Sequence, residues 1–113
     1  MKKDNLVYLK QISEFIVNIE EYAEDLNYND FEVDYKTQDA IIRKLELIGE
    51  AANRLSYEFI DLHPSFPVKQ AIAIRNKLIH EYEEVDIKII WDTIKNDLPI
   101  VKSSIENILE IEK

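Results

Sequence analysis

Four side chains in the middle of this sequence are of types that can handle a phosphate ester. Arg75, Asn76, His80 and Tyr82 fall within eight consecutive positions. Read as a helix, Asn76 and His80 are four apart on one edge, and Arg75 and Tyr82 are seven apart on the adjoining edge. The four then share less than half the circumference of two turns. A guanidinium can hold phosphate oxygens bidentately. An imidazole, with an ordinary pKa of about 6.5, can move a proton near neutral pH. Arg75 is the odd member, because Val68, Ala71, Ile72, Leu78, Ile79 and Tyr82 form an apolar stripe at spacings of three and four and Arg75 sits in its middle. A guanidinium there must snorkel to solvent or find a fixed partner, since burying it unpaired is costly. The plainer alternative is a buried polar network that fixes helix register. Spacing alone leaves both open.

The elements that must position these residues read as helices. Asn5–Leu26 carries Leu9, Ile12, Ile16, Ile19, Ala23 and Leu26 at alternating spacings of three and four, with Lys10, Glu14, Glu20, Glu21 and Glu24 opposite. Asn27–Lys36 lacks a helical period and reads as a loop anchored by Phe31 or Tyr35. Thr37 is the expected N-cap of a second helix running to about Ile60, striped by Ile41, Leu45, Ile48, Ala52, Leu55 and Phe59. Its other face aligns Glu46, Glu50, Asn53 and Tyr57. Gly49, the one glycine of the chain, lies mid-helix, at a cost of ~1 kcal/mol relative to alanine. Either a ligand or backbone comes close there, or two helices simply pack tightly. Asp61–Pro67 is the clearest break, and Pro67 can head the third helix, which holds the four side chains and should run to about Glu83. Asp86 can cap a fourth, in which Ile87, Trp91, Ile94, Leu98, Val101, Ile105 and Ile108 repeat. Pro99 predicts a kink or a restart as a fifth helix.

The expected architecture is therefore all-α, an antiparallel bundle of four to five helices in one domain spanning residues 1–113. Further apolar stripes, Phe15 with Tyr22 and Ile42 with Tyr57, exceed what one small bundle can bury and favour a homodimer. No apolar run approaches the ~20 residues of a membrane span, and the start MKKDNLVYLK turns charged too soon for a signal peptide. There is no cysteine, so neither disulfides nor thiolate metal sites are expected, and a cytoplasmic setting is the default. His63 and His80 alone make a poor zinc site. No metal and no cofactor are expected. The net charge of −9 argues against broad binding to nucleic acid, DNA included. One stretch departs from that balance: Leu62–His80 has no acidic residue but contains Lys69, Arg75 and Lys77.

Arg75-Asn76-Lys77-Leu78-Ile79-His80-Glu81-Tyr82 resembles the R-x4-H-x-Y motif of the HEPN superfamily, in particular the HepT-type toxins of toxin–antitoxin pairs. Leu45–Ser56 (LELIGEAANRLS) looks like the family's second-helix signature. Pro64 and Pro67, Val85-Asp86 and Trp91–Pro99 (WDTIKNDLP) follow in the family's order. A lone R-x4-H is weak, but these blocks in sequence are specific. The resemblance implies a HEPN-like bundle, dimeric, with two motif helices meeting in one cleft. It implies a metal-independent endoribonuclease of a type VII system, paired with an MNT-type nucleotidyltransferase antitoxin that transfers AMP to the motif tyrosine, here Tyr82. The sequence departs from the family at Val68, where a tryptophan is common, and at Glu83 and Glu84, where an aromatic and a glycine are common.

Under this resemblance, His80 is the proton-transfer group and Arg75 the clamp on the phosphate, with Asn76 orienting either the imidazole or the phosphate. One chain supplies one such histidine, so a base and an acid together require two chains. Glu50 is the candidate for orienting Arg75 or His80; a solvated helix glutamate is the competing reading. A second function class stays open: a binding module without catalysis, in which Arg75, His80 and Tyr82 dock a nucleotidyltransferase and Glu81, Glu83 and Glu84 suit a basic protein partner. A purely structural bundle would explain the stripes but not the polar cluster.

Overall fold

The computed structural model describes residues 3–67, 69–72 and 86–112, and these are helical throughout apart from short connections. Helix α1 (Lys3–Ala23) is followed by the short α2 (Tyr28–Val33), the long α3 (Tyr35–Asn53) and the short α4 (Tyr57–Leu62). After the helical turn at 69–72 come α5 (Ile87–Asp92), a π-helical turn (Thr93–Asp97) and α6 (Leu98–Ile111). Among the described residues there is no strand, and the all-α expectation holds.

The stripes read from the sequence become the core. Leu9, Ile12, Ile16 and Ile19 of α1, Ile41, Leu45 and Ile48 of α3, and Leu98, Val101, Ile105 and Ile108 of α6 join one buried cluster. Phe15 packs half-buried against it, with the Lys44 ammonium 5.3 Å from its ring centre. Helix directions follow from contacts at the ends. Asn5 near the start of α1 bonds Ser56 just beyond α3, so these two helices run antiparallel. Lys102 early in α6 meets Glu20 late in α1 at 2.9 Å, and Glu112 at the far end of α6 lies 3.4 Å from His63. Helix α6 therefore also runs against α1.

Several boundaries differ from the sequence expectation, each for a local reason. Helix α1 stops at Ala23 rather than Leu26, because Asp25 turns the chain into the left-handed region at φ 64°; aspartate tolerates this conformation better than most residues. The stretch expected as a loop contains α2. Its Asn27 side chain accepts from the Asp30 N–H at 2.8 Å while the Asp30 carboxylate accepts from the Asn27 N–H, a capping box in six residues too short to show a stripe. Phe31 is the fully buried anchor, whereas Tyr35 is exposed. Helix α3 is capped by Asp34, not Thr37. The Asp34 carboxylate accepts from both the Thr37 hydroxyl, at 2.7 Å, and the Thr37 N–H, at 3.1 Å. Those two bonds hold the Asp34 carboxyl below its ordinary pKa, the hydroxyl contributing most.

Helix α3 also ends at Asn53 instead of continuing to Ile60. Ser56 takes an extended backbone, caps α4 through the Phe59 N–H at 3.1 Å, and exchanges two further bonds with Asn5. The Asn5 amide donates to the Ser56 hydroxyl at 2.9 Å and its oxygen accepts from the Ser56 N–H at 3.1 Å. Helix continuation would forfeit all three. The fourth helix behaves as expected at its start, where the Asp86 carboxylate accepts from Lys88 N–H at 2.9 Å and Ile89 N–H at 3.4 Å. Pro99 accompanies a restart, one of the two outcomes expected for it, because a new helix, α6, begins at Leu98. It stands in the first turn of α6, directly after a π turn in which the Leu98 N–H bonds the Thr93 carbonyl. The wider turn relieves the clash a proline ring makes with the carbonyl four residues before it.

Asn5 is only 3% exposed. Replacing it by alanine removes both bonds to the part-buried Ser56, and Asn5→Ala is expected to lower unfolding stability by about 1–3 kcal/mol. Urea denaturation followed by circular dichroism measures this, with the native helical signal retained.

Candidate functional site

Arg75, Asn76, His80 and Tyr82, together with Glu81, Glu83 and Glu84, lie outside the described residues. The structure does show how the chain reaches and leaves that segment. On the near side Ala71 is fully buried and Ile72 packs half-buried on the core, both from the apolar stripe expected for the motif helix. Pro67 heads this turn as expected, its carbonyl accepting from the Ala71 N–H at 3.1 Å. On the far side Asp86 caps α5. The thirteen residues 73–85 are thus held between a core-anchored turn and a capped helix.

The approach to the segment is fastened at one end of the bundle by several independent contacts. Phe59 of α4 meets Phe66 edge-on at 5.5 Å and the His63 ring at 5.2 Å. His63 Nε2 lies 3.4 Å from the Glu112 carboxylate, without the alignment for a hydrogen bond. The Asn5–Ser56 pair lies just before α4 in the chain. The far side is fastened by aromatic packing. Trp91 of α5 lies 5.2 Å from Phe31 and 6.1 Å from Tyr28 of α2, with Lys95 over its ring at 4.6 Å. Burial and the nearby Glu32 carboxylate push the Tyr28 phenol above its ordinary pKa, burial contributing most.

Helix α3 supplies the remaining sequence candidates. Glu50 is half-buried and, among the described residues, has no hydrogen-bond or ion-pair partner. Gly49 beside it is buried, as are Ile48, Ala51 and Ala52. At 100° per residue these four sweep about 160° of the helix surface, more than the stripe of a helix with one neighbour. Small residues over that arc fit close packing, which accounts for Gly49 without a ligand. The expected polar line of Glu46, Glu50, Asn53 and Tyr57 does not persist. Glu46 pairs with Arg43 at 3.3 Å, Asn53 is the last residue of α3, and Tyr57 belongs to α4 at 86% exposure. The line breaks because the helix does.

Around the approach to the motif, the sequence reading missed a long-range bond pair and a cavity. The Asn5–Ser56 bonds span fifty-one positions, and no local pattern announces them. A cavity of about 440 Å³ opens beside Pro64, Phe66 and Lys69, just before the motif; the double proline marked the break but not the space. Among the described residues no group of three or more histidine, aspartate or glutamate side chains could hold a metal ion. No helix among them is long and apolar enough to cross a membrane.

The sequence profile described as "Ribonuclease HepT-like" matches residues 12–108. The chain belongs to the HepT-like family. It is 42% identical over 108 residues to "Probable ribonuclease HepT" of Thermococcus cleftensis, covering 96% of this chain and 98% of that one. A protein of Methanocaldococcus jannaschii named "Putative RNase MJ0127" is 39% identical over 109 residues, covering 96% of this chain and 90% of its own. Another from the same organism, "Gamma-glutamylcyclotransferase and putative RNase MJ0434", is 40% identical over 110 residues, which make up 50% of its length. No solved structure matches the chain. The HepT-like match spans α1 to α6 and encloses the R-x4-H-x-Y residues.

A structural role for Glu50 and a role at the motif make different demands on stability. A half-buried carboxylate with no described partner contributes little to folding, so Glu50→Gln is expected to unfold within about 0.5 kcal/mol of the unchanged protein. A loss of several times that in thermal denaturation would make Glu50 a structural residue.

Proposed function

We propose that this HepT-like chain is a metal-independent endoribonuclease acting at a cleft between two copies of itself. The observation that carries the reading is the family match over residues 12–108, with Arg75, Asn76, His80 and Tyr82 standing in the family's motif order. The chemistry suits those side chains. One His80 takes the proton of a ribose 2′-OH, the freed oxygen attacks the adjacent phosphorus, and the bond to the 5′-oxygen breaks as the second His80 protonates it. The products are a 2′,3′-cyclic phosphate and a 5′-hydroxyl. Arg75 neutralises the charge that builds on the non-bridging oxygens. Asn76 and Glu50 orient these groups. Exposed Val33, Tyr35, Tyr57 and Leu62 leave apolar surface for a second copy, which supports the dimer.

The same reading makes the protein the toxin of a type VII pair, restrained in the cytoplasm by an MNT-type nucleotidyltransferase antitoxin. The Tyr82 oxygen attacks the α-phosphorus of ATP, pyrophosphate leaves, and AMP stays on the phenol. The added phosphate charge beside Arg75 occupies the cation meant for RNA. A second reading is favoured by one specific observation: a net charge of −9, with Glu81, Glu83 and Glu84 flanking His80 and Tyr82. Under it the motif is a docking surface for the nucleotidyltransferase and cuts nothing.

Cleavage assays on single-stranded RNA separate the two. His80→Ala is expected to lose about 10²- to 10⁴-fold in rate, the usual worth of one positioned acid or base. Arg75→Lys keeps the charge but not the planar fork; it should melt normally and fail to cleave. EDTA should change nothing, since the sequence offers no metal-ligand set. An unmodified dimer that cuts no RNA would leave the docking module standing. For the antitoxin, incubation with the cognate transferase and ATP should add one AMP mass at Tyr82, and Tyr82→Phe should abolish the addition. Adducts mapped to another residue would overturn that assignment.

A further inference from the structure

The cavity of about 440 Å³ built from residues just before the motif in the sequence has no part in the chemistry above, and its volume falls in the range of ligand pockets, about 300–1,000 Å³. Its floor is apolar, made by Ile60, Pro64, Phe66 and Pro67. Its rim is polar and exposed: Ser65, Lys69 and Gln70. Among the described residues no carboxylate lines it. A second cavity, of about 330 Å³ between the end of α1 and the π turn, sets Glu20, Glu24 and Asp25 against the one cation Lys95 among its described lining residues and is net acidic.

The charge pattern of the chain makes the first cavity exceptional. All of its described lining residues except Ile60 fall within Leu62–His80, nineteen residues with no aspartate or glutamate. The next longest such run, Asn5–Ser13, is nine. In a chain of net charge −9, the phosphate-tolerant surface is thus concentrated in the motif and the residues leading to it. Lys69 precedes Arg75 by six positions in the sequence.

We propose that this cavity is a nucleotide subsite for the RNA strand beside the scissile phosphate. A base rests on the floor of Ile60, Pro64 and Pro67, Lys69 meets a backbone phosphate, and the Gln70 amide reaches a base edge. An apolar platform beside a cation is the usual provision for single-stranded nucleic acid. The subsite rests on the ribonuclease reading for its place in a reaction, but its binding is measurable without turnover.

The test uses the full-length protein carrying His80→Ala, so that a fluorescent single-stranded RNA of about twelve nucleotides stays intact, with anisotropy read across a salt series. Adding Lys69→Glu should weaken binding about tenfold and lower the salt slope by about 0.7, the share of one phosphate contact on a single strand. Adding Ser65→Lys should tighten binding, a gain that misfolding cannot imitate. With His80 intact, Lys69→Glu should raise KM and leave kcat within about twofold, the mark of binding lost equally from ground and transition states. If RNA is cut while neither variant alters binding or KM, the subsite falls and the ribonuclease stands. If Lys69→Glu spares RNA binding but abolishes association with the nucleotidyltransferase, the cavity belongs to a protein partner and the proposal is wrong. If RNA is bound through Lys69 but never cut, the subsite stands and the ribonuclease reading fails. If the His80→Ala protein binds no RNA, the subsite is overturned.

Discussion

A reciprocal pair of hydrogen bonds between Asn5 and Ser56 sets how the ends of this bundle meet. Helix packing alone lets two striped helices slide by a turn, because ridges and grooves repeat along their length. The amide of Asn5 removes that freedom by taking both the hydroxyl and the N–H of one residue. Ser56 then spends its remaining capacity on the first turn of α4. The register of α1 against α3, the end of α3 and the start of α4 are therefore one decision. The turn carrying His63, Phe66 and Pro67 inherits its position from it, and so does Ala71 at the threshold of the motif.

Among the described residues the buried polar side chains are Asn5, Gln38 and Thr93, and the first two each close a connection between elements. Gln38, 6% exposed, donates to the carbonyls of Phe31 at 2.8 Å and Glu32 at 3.0 Å, satisfying the open end of α2 from within α3. Trp91 then lays α5 against that same short helix through Phe31 and Tyr28. Gln38 and Trp91 lie on opposite sides of the motif in the sequence, and both tie their elements to α2.

Legibility of the fold followed the physics of burial. Stripes that repeat over three or more turns, as in Leu9 to Ala23 or Ile94 to Ile108, could be read directly, and so could the Asp86 cap. What escaped was short or non-local. Helix α2 has six residues and no room for a period. Asp34 outbid Thr37 as a cap by three positions, because its carboxylate could take the threonine hydroxyl and N–H together. The break at Ser56 depended on Asn5, half a chain away. The candidate site rests on the sequence alone: Arg75, Asn76, His80 and Tyr82 were singled out by residue type, spacing and family resemblance, and they lie outside the described residues. The cavity at Lys69 needed three dimensions, since a space between α4 and the next turn leaves no mark in a linear pattern.

The π turn at Thr93–Asp97 has a mechanical consequence. Its hydrogen bonds reach back five residues, and Pro99 contributes no donor to the turn that follows, so this is where the ladder of an otherwise continuous helix is thinnest. Helix α6 below it is locked into the core by Leu98, Val101, Ile105 and Ile108. Helix α5 above it has only Ile90 fully buried and is held mainly by stacking. The long helix is therefore jointed. Amide exchange should begin at the joint, and α5 with its Asp86 cap can tilt by small amounts without disturbing α6, a compliant element on an otherwise stiff frame.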